Sequence, residues 1–242
     1  MTWCKRVLPP ILFLAIAACN EAVGPAEQDA QGPTPTNALH HLQWKSTMTA
    51  DRFTAAARNA AGDEVALAAG PTVYAALNGL GDLSTYHVSF WAVSGEERSI
   101  QIDYLGTDST GQQVSSPYLR FTVPPNALMA RPDGSPIVAG DSVLITLATD
   151  STDMVAHMEP SGLQFHSQHP AELTVWYEGA NPDLNTDGSV NGTDHYIEEN
   201  DLGVWVQQSE TDPWEWVPSQ HTLTVKTFDA LLEHFSSYVI SW

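Results

Sequence analysis

The residues best spaced for chemistry in this 242-residue chain form one run, Asp183-Leu-Asn-Thr-Asp-Gly-Ser-Val-Asn-Gly-Thr-Asp194. Asp183, Asn185 and Asp187 stand at alternate positions, Gly188 follows, and Asp194 closes the run at its twelfth residue. This is the spacing of a calcium-binding loop, with ligands at positions 1, 3 and 5, a Gly at 6 for the sharp turn and a carboxylate at 12. Ca2+ takes about six to eight hard oxygens, so a loop that folds several oxygen side chains inward suits it. Ser189 would add its backbone carbonyl at position 7, and Asn191 would sit at position 9, directly or through water. The competing reading is a metal-free hairpin turn, because Asp-Gly and Asn-Gly both favour turns.

Position 12 is Asp where the usual residue is Glu. With Asn at position 9, the run resembles one repeat of the dockerin calcium loop, D-x-N-x-D-G-x-x-N-x-x-D. The resemblance covers twelve residues and occurs once. Dockerins that bind cohesins carry two such loops with helices, so no cohesin partner is expected.

Other constellations are sparser. His157, His166 and His169 flank one turn region and could ligate zinc or copper, but no Cys accompanies them, and they read as surface histidines. His40-His41 could be a metal pair or two solvated side chains. There is no Gly-x-Ser-x-Gly elbow, Gly-rich phosphate loop or dinucleotide fingerprint. Trp214 and Trp216 could form a carbohydrate platform, or could be one core and one rim position of a β-structure. Trp176 and Trp205 are expected in the core. The net charge is -20, from 29 acidic against 9 basic residues. Such a field excludes nucleic-acid partners and favours cations and solubility.

The elements that must position these residues begin after a targeting segment. Lys5 and Arg6 precede an apolar stretch over 7–18, too short to span a bilayer as a mature helix. Ile16-Ala17-Ala18-Cys19 resembles a bacterial lipobox, which implies that Cys19 is diacylated and becomes the mature N-terminus. The mature protein would then be lipid-anchored at the bacterial cell envelope, on the outer membrane or the outer face of the inner membrane. Cys4 and Cys19 are the only cysteines, so the exported part would have no disulfide, and bound calcium would be a natural replacement staple. Residues 20–41 are rich in Ala, Pro, Gly, Gln and Thr without apolar periodicity, and read as a flexible tether.

Beyond the tether, residues 53–61 are Ala-rich and read as a short helix or a loop, stopped by Gly62-Asp63. Alternating strands are expected at 86–93 and 99–105, joined as a hairpin through 94–98. Further strands are expected at 118–123, 141–148, 171–177, 203–207, 222–227 and 235–240. Short strands punctuated by Gly, Pro and Asp predict an all-β fold, an antiparallel β-sandwich, either one sheet pair or two packed sub-sheets. No clean linker interrupts residues 86–242, so one folded unit is expected, with a β-rich part over 42–117 leading into 118–242. The calcium loop would be an insertion at the end of a hairpin between strands 173–177 and 202–206, with Ca2+ pinning a long connection. Residues 194–200 would form its short exiting helix, with Val190 and Ile197 as apolar contacts.

Three stretches of the second half resemble a known β-domain pair. Phe121-Thr-Val-Pro-Pro-Asn-Ala-Leu128 with Gly140-Asp-Ser-Val-Leu-Ile-Thr-Leu147 is similar to the β-domain shared by ankyrins and netrin receptors. Glu159-Pro-Ser-Gly-Leu-Gln-Phe165 with Pro170-Ala-Glu-Leu-Thr-Val-Trp-Tyr177 is similar to the junction into its UPA partner. Glu233-His-Phe-Ser-Ser-Tyr238 resembles that partner's closing strand. The match covers about residues 118–242, and the resemblance implies an interaction or scaffolding module. Some relatives, the autoproteolytic death-domain adaptors and function-to-find domains, cut themselves before such a serine. Carried over here, Ser236 Oγ would attack the Phe235 carbonyl with help from His234, giving an ester that water hydrolyses. The alternative is an inert C-terminal strand in which Phe235 and Tyr238 pack. The expectation is therefore a non-enzymatic, calcium-stabilised envelope β-sandwich with a structural role or an unknown protein or glycan partner. Self-cleavage at Phe235–Ser236 and glycan binding are the alternatives.

Overall fold

Alternation decides which face each strand buries. In β4 (Arg98–Thr107), Ile100, Ile102 and Tyr104 are buried while the residues between them are only partly covered, the period-2 signature of a strand with one core face. The computed structural model describes residues 33–34, 36, 39–68, 84–108 and 110–242, all within one compact unit spanning Gly32–Trp242. The expected signal segment, Cys19 and most of the expected tether lie outside the described residues. Among the described residues, no helix is long and apolar enough to cross a membrane.

Two antiparallel sheets pack face to face. The larger has seven strands in the order β13 (Ser219–Thr222), β14 (Thr227–Leu232), β10 (Ala171–Trp176), β5 (Gln113–Val123), β4, β1 (Phe53–Asn59) and β2 (Glu64–Val65). The smaller has six: β12 (Glu215–Val217), β11 (Gly203–Gln207), β15 (Ser237–Ser241), β8 (Val155–Glu159), β7 (Ser142–Asp150) and β3 (Ser84–Val93). A two-stranded ribbon, β6 (Leu128–Ala130) and β9 (Gln164–Phe165), stands beside them. This is the expected all-β sandwich. The step at Pro117–Tyr118 falls inside β5, so both halves of the chain share one sheet.

Several local expectations are corrected. Residues 53–59 form β1, not a helix or loop: they pair with β4 from Phe53–Tyr104 to Asn59–Arg98, and Phe53 and Ala57 enter the core. Alanine's helix propensity is weak against a full ladder of strand pairing. The 86–93 and 99–105 strands exist but do not form a hairpin, because β3 joins β7 in one sheet and β4 joins β5 and β1 in the other. Their connection crosses between layers. Gly95, at φ +98, donates its N–H to Pro125 O (2.7 Å), and Ser94 N–H bonds Asp141 O (2.8 Å), so neighbouring loops hold the turn. The strand expected at 222–227 is the turn between β13 and β14, a 3-10 segment Leu223–Val225 followed by Lys226 in the left-handed region (φ 50).

A bulge in β5 places the deepest aromatic. The register with β4 shifts between Ile102–Leu119 and Asp103–Pro117, leaving Tyr118 as an extra residue. Both Tyr118 and Leu119 are consequently buried. The Tyr118 hydroxyl donates to Val155 O and accepts from Thr149 Oγ1, each at 3.3 Å, and burial raises its pKa. Near this ring, which lies 4.8 Å from that of Trp44, the segment before β1 meets the last strand. Leu42 N–H bonds Ile240 O (2.9 Å), His40 N–H bonds Trp242 O (3.1 Å), and Thr36 pairs with Trp214. The docked chain thus includes residues within the stretch read as tether, held by single bridges that give no periodic sequence signal.

Candidate functional site

The 183–194 loop leaves β10 in the larger sheet and returns through α1 (Gly192–Asn200) to β11 in the smaller one. β10 and β11 are not paired, so the expectation of an insertion in a hairpin is corrected: the loop bridges the two layers. Leu184, Ile197 and Leu202 anchor it in the main core, while Val190 is exposed and supplies no apolar anchor. Glu198 of α1 pairs with Lys226 Nζ (2.7 Å), which also lies over the Tyr177 ring. That link to the β13–β14 turn has no periodic or motif signal in the sequence.

Within the loop, oxygen side chains fold onto one another. Asp183 accepts from the backbone N–H groups of Asp187 (3.1 Å) and Gly188 (2.9 Å). Gly188 sits at φ +87, where its missing Cβ permits the sharp turn expected at position 6. Thr186 is also left-handed, at φ 56, an uncommon state for a β-branched residue. Asn185 Oδ1 accepts from Asp187 N–H (3.0 Å), and Asp187 Oδ1 from Ser189 N–H (2.9 Å). Asp187 Oδ2 receives the amides of Asn185 (3.0 Å) and Asn191 (3.1 Å), and Asn191 also donates to Ser189 O (3.0 Å). Positions 1, 3, 5, 7 and 9 therefore share one hydrogen-bonded network.

Asp194 has a different task. It is buried, and its carboxylate accepts three backbone N–H groups, from Leu184 (2.8 Å), Asn185 (3.2 Å) and Asn191 (2.7 Å). Asn191 reciprocates by accepting from Thr193 N–H (2.8 Å), so the pair forms a capping box on α1. These bonds, that from Asn191 first, hold the Asp194 carboxyl below the usual carboxylate range. Among the described residues, no ion pair engages Asp183, Asp187 or Asp194. Among the described residues, no group of three or more His, Cys, Asp or Glu side chains is arranged to hold a metal.

The His234-Phe235-Ser236 segment is part of the core packing. Phe235 is fully buried, with its ring 5.1 Å from both Phe121 and Phe165, which lie 6.2 Å apart. Each ring comes from one of the stretches singled out in the sequence, and each such pair adds about 0.5–1.5 kcal/mol beyond its buried area. The backbone joins them as well: Phe235 N–H bonds Leu163 O (2.8 Å), and Gly162 N–H bonds Phe235 O (3.1 Å). Ser236 Oγ donates to Gln207 O. His234 Nε2 meets the Gln208 amide (2.8 Å), and its Nδ1 is buried without a partner. The hydroxyl thus faces a carbonyl acceptor, and His234 faces Gln208.

The remaining aromatic and histidine candidates are dispersed. Trp214 is buried with Val155, Trp205 and Val239, edge-on to His41. Trp216 is half-buried and covers Gly203. Neither ring is an exposed flat platform. Trp205 is buried as expected, but on the outer face of its sheet; Trp176 is only half-buried, with Arg120 over its ring at 5.5 Å. His157 bonds Ser237 Oγ (2.9 Å), whereas His166 and His169 are exposed on their turn. His40 stacks on Trp242, and His41 lies 3.5 Å from Asp153. In comparisons with known proteins, no family model matches this chain, and no curated protein or solved structure is significantly similar to it.

Proposed function

We propose that this chain is a calcium-stabilised β-sandwich with a non-enzymatic structural role, lipid-anchored through Cys19 at the bacterial cell envelope. The observation that carries the calcium reading is the closed network of positions 1, 3, 5, 7 and 9, turned by Gly188 at φ +87. Asp183 and Asp187 are held near each other with no cationic partner among the described residues, and a divalent cation would offset that repulsion. On binding, the Asn185 and Asn191 amides would turn oxygen toward the cation, giving up the Asp187 and Thr193 N–H bonds that their Oδ1 atoms now accept. Asp183, Asn185, Asp187, Asn191 and the Ser189 carbonyl would be the ligands, while Asp194 keeps its cap and offers the lone pair left over. The cation would then clamp the crossing from β10 to β11, the longest inter-layer connection of the second half, in a chain whose exported part has no disulfide. Isothermal titration of the full chain with CaCl2 tests this reading. One saturable site, lost in Asp183→Ala, is expected; a wild-type titration with no heat beyond dilution would overturn it.

A further inference from the structure

At Pro218 the chain steps from the edge of one sheet to the edge of the other. β12 ends at Val217 as the outer strand of the six-stranded sheet, and β13 starts at Ser219 as the outer strand of the seven-stranded one. β13 covers β14 only up to the Ser219–Ala230 pair. β14 continues along β10 to Leu232. One edge of Leu231 and Leu232 is therefore left without a neighbouring strand. Such an edge is a template for a further strand.

Beside this edge opens a cavity of about 840 Å³. Its floor is apolar, including Val206, Val217, Leu232 and Tyr238, and Leu231 is 62% exposed alongside it. The rim has one sign of charge. Glu172, Glu215, Asp229 and Glu233 line it, all are exposed, and among the described residues none is in an ion pair. No Lys or Arg among the described residues lines the cavity. Asp229 accepts from Thr174 Oγ1 (2.6 Å), and among the described residues the other three carboxylates have no donor. The register sets Glu215 opposite Val206, on the strand face shared with Val217, so it projects from the cavity side of β12.

We propose that this corner binds an extended cationic segment of a partner protein. The segment adds a strand along the free end of β14, seats alternate apolar side chains on the cavity floor, and lays Lys or Arg side chains against Glu215 and Glu233. Main-chain pairing supplies affinity and the alternating pockets supply specificity. The carboxylates select charge and make the encounter salt-dependent. This site is separate from the 183–194 loop and requires neither calcium nor the anchor.

The test is fluorescence anisotropy with the full chain and a labelled heptapeptide alternating Leu and Lys. Because the whole chain is strongly acidic, two double variants are compared: Glu215→Gln with Glu233→Gln at the site, and Asp51→Asn with Glu199→Gln, which remove the same charge from residues that do not line the cavity. Saturable binding weakened about tenfold by the site pair and unchanged by the remote pair is expected. Equal weakening by both pairs, or no saturable binding by the wild type, would overturn the proposal. Tight binding of a heptapeptide alternating Leu and Glu would do the same.

Discussion

Asp187→Ala and Asp194→Asn are expected to differ in whether calcium matters. Asp187 is exposed, and its carboxylate is held by one backbone N–H and two side-chain amides. Without calcium its removal is a surface change, within about 0.5 kcal/mol of wild type. If the loop binds as proposed, free calcium a hundredfold above Kd would add about 2.7 kcal/mol to the wild type. For a chain of this size, 1 kcal/mol moves Tm by about 2–4 °C, so calcium should raise the wild-type melt by roughly 5–10 °C and leave Asp187→Ala unmoved. Asp194→Asn is different. Its new NH2 group opposes the backbone donors that the carboxylate satisfied, so the cap and the burial of the loop suffer in calcium and in chelator alike. Differential scanning fluorimetry of the three proteins, with CaCl2 and with EGTA, reads both effects. A wild-type melt indifferent to EGTA refutes the calcium clamp, and an Asp194→Asn melt equal to wild type in EGTA refutes the capping role.

The other expectations rest on the core. Phe235→Ala should cost about 3–5 kcal/mol in urea unfolding by opening a cavity between Phe121 and Phe165, while intact-mass spectrometry of wild type and Ser236→Ala should give one uncut chain for each. Gly179→Ala would place a Cβ 2.9 Å from Tyr104 Cζ and 3.0 Å from Trp44 Cζ3; a loss of about 1–3 kcal/mol by the same assay is expected, and an unchanged midpoint would show that the two rings can yield. Burial lowers the pKa of His157 and of His221. Each therefore takes up a proton more readily when unfolded, so stability should be full above pH about 6.5 and decline as pH falls below it, and the double variant His157→Gln with His221→Gln should flatten that slope. The lowered Asp194 carboxyl adds a second decline below pH about 4, lost as pH falls through its folded pKa.

Strand identity was largely legible in the sequence and strand partnership was not. Ile100, Ile102 and Tyr104 advertise a one-sided strand through local alternation, which needs no knowledge of the rest of the chain. Whether β4 pairs with β3 or with β5 depends on contacts that alternation does not encode, and a turn as short as 94–97 serves a hairpin and a layer crossing equally well. The Ala-rich 53–59 stretch shows the converse: its local preference is helical, and only the ladder with β4 makes it a strand. Trp176 fails for a related reason. It belongs to a genuine strand, but the odd-numbered residues Leu173 and Val175 take the core face, which turns Trp176 outward under Arg120.

The candidate site divides in the same way. The ligand spacing of the 183–194 loop and the helix after it are local properties, and the turn at Gly188 lies where the spacing requires it. What the spacing does not carry is that Asp194 turns its carboxylate to three backbone donors, because that demand arises only once Leu184 and Ile197 are pulled into the core and the intervening amides lose water. The same logic gives His-Phe-Ser a place in the packing. A residue pattern shared with self-cutting domains also reads as three rings, Phe121, Phe165 and Phe235, needed at one point of the core. Here the ring is buried and the serine hydroxyl is satisfied by Gln207, so packing alone accounts for the presence of Phe235. The two most recognisable motifs therefore sit differently in the fold: one lies on the connection between layers, and the other fills the space between them.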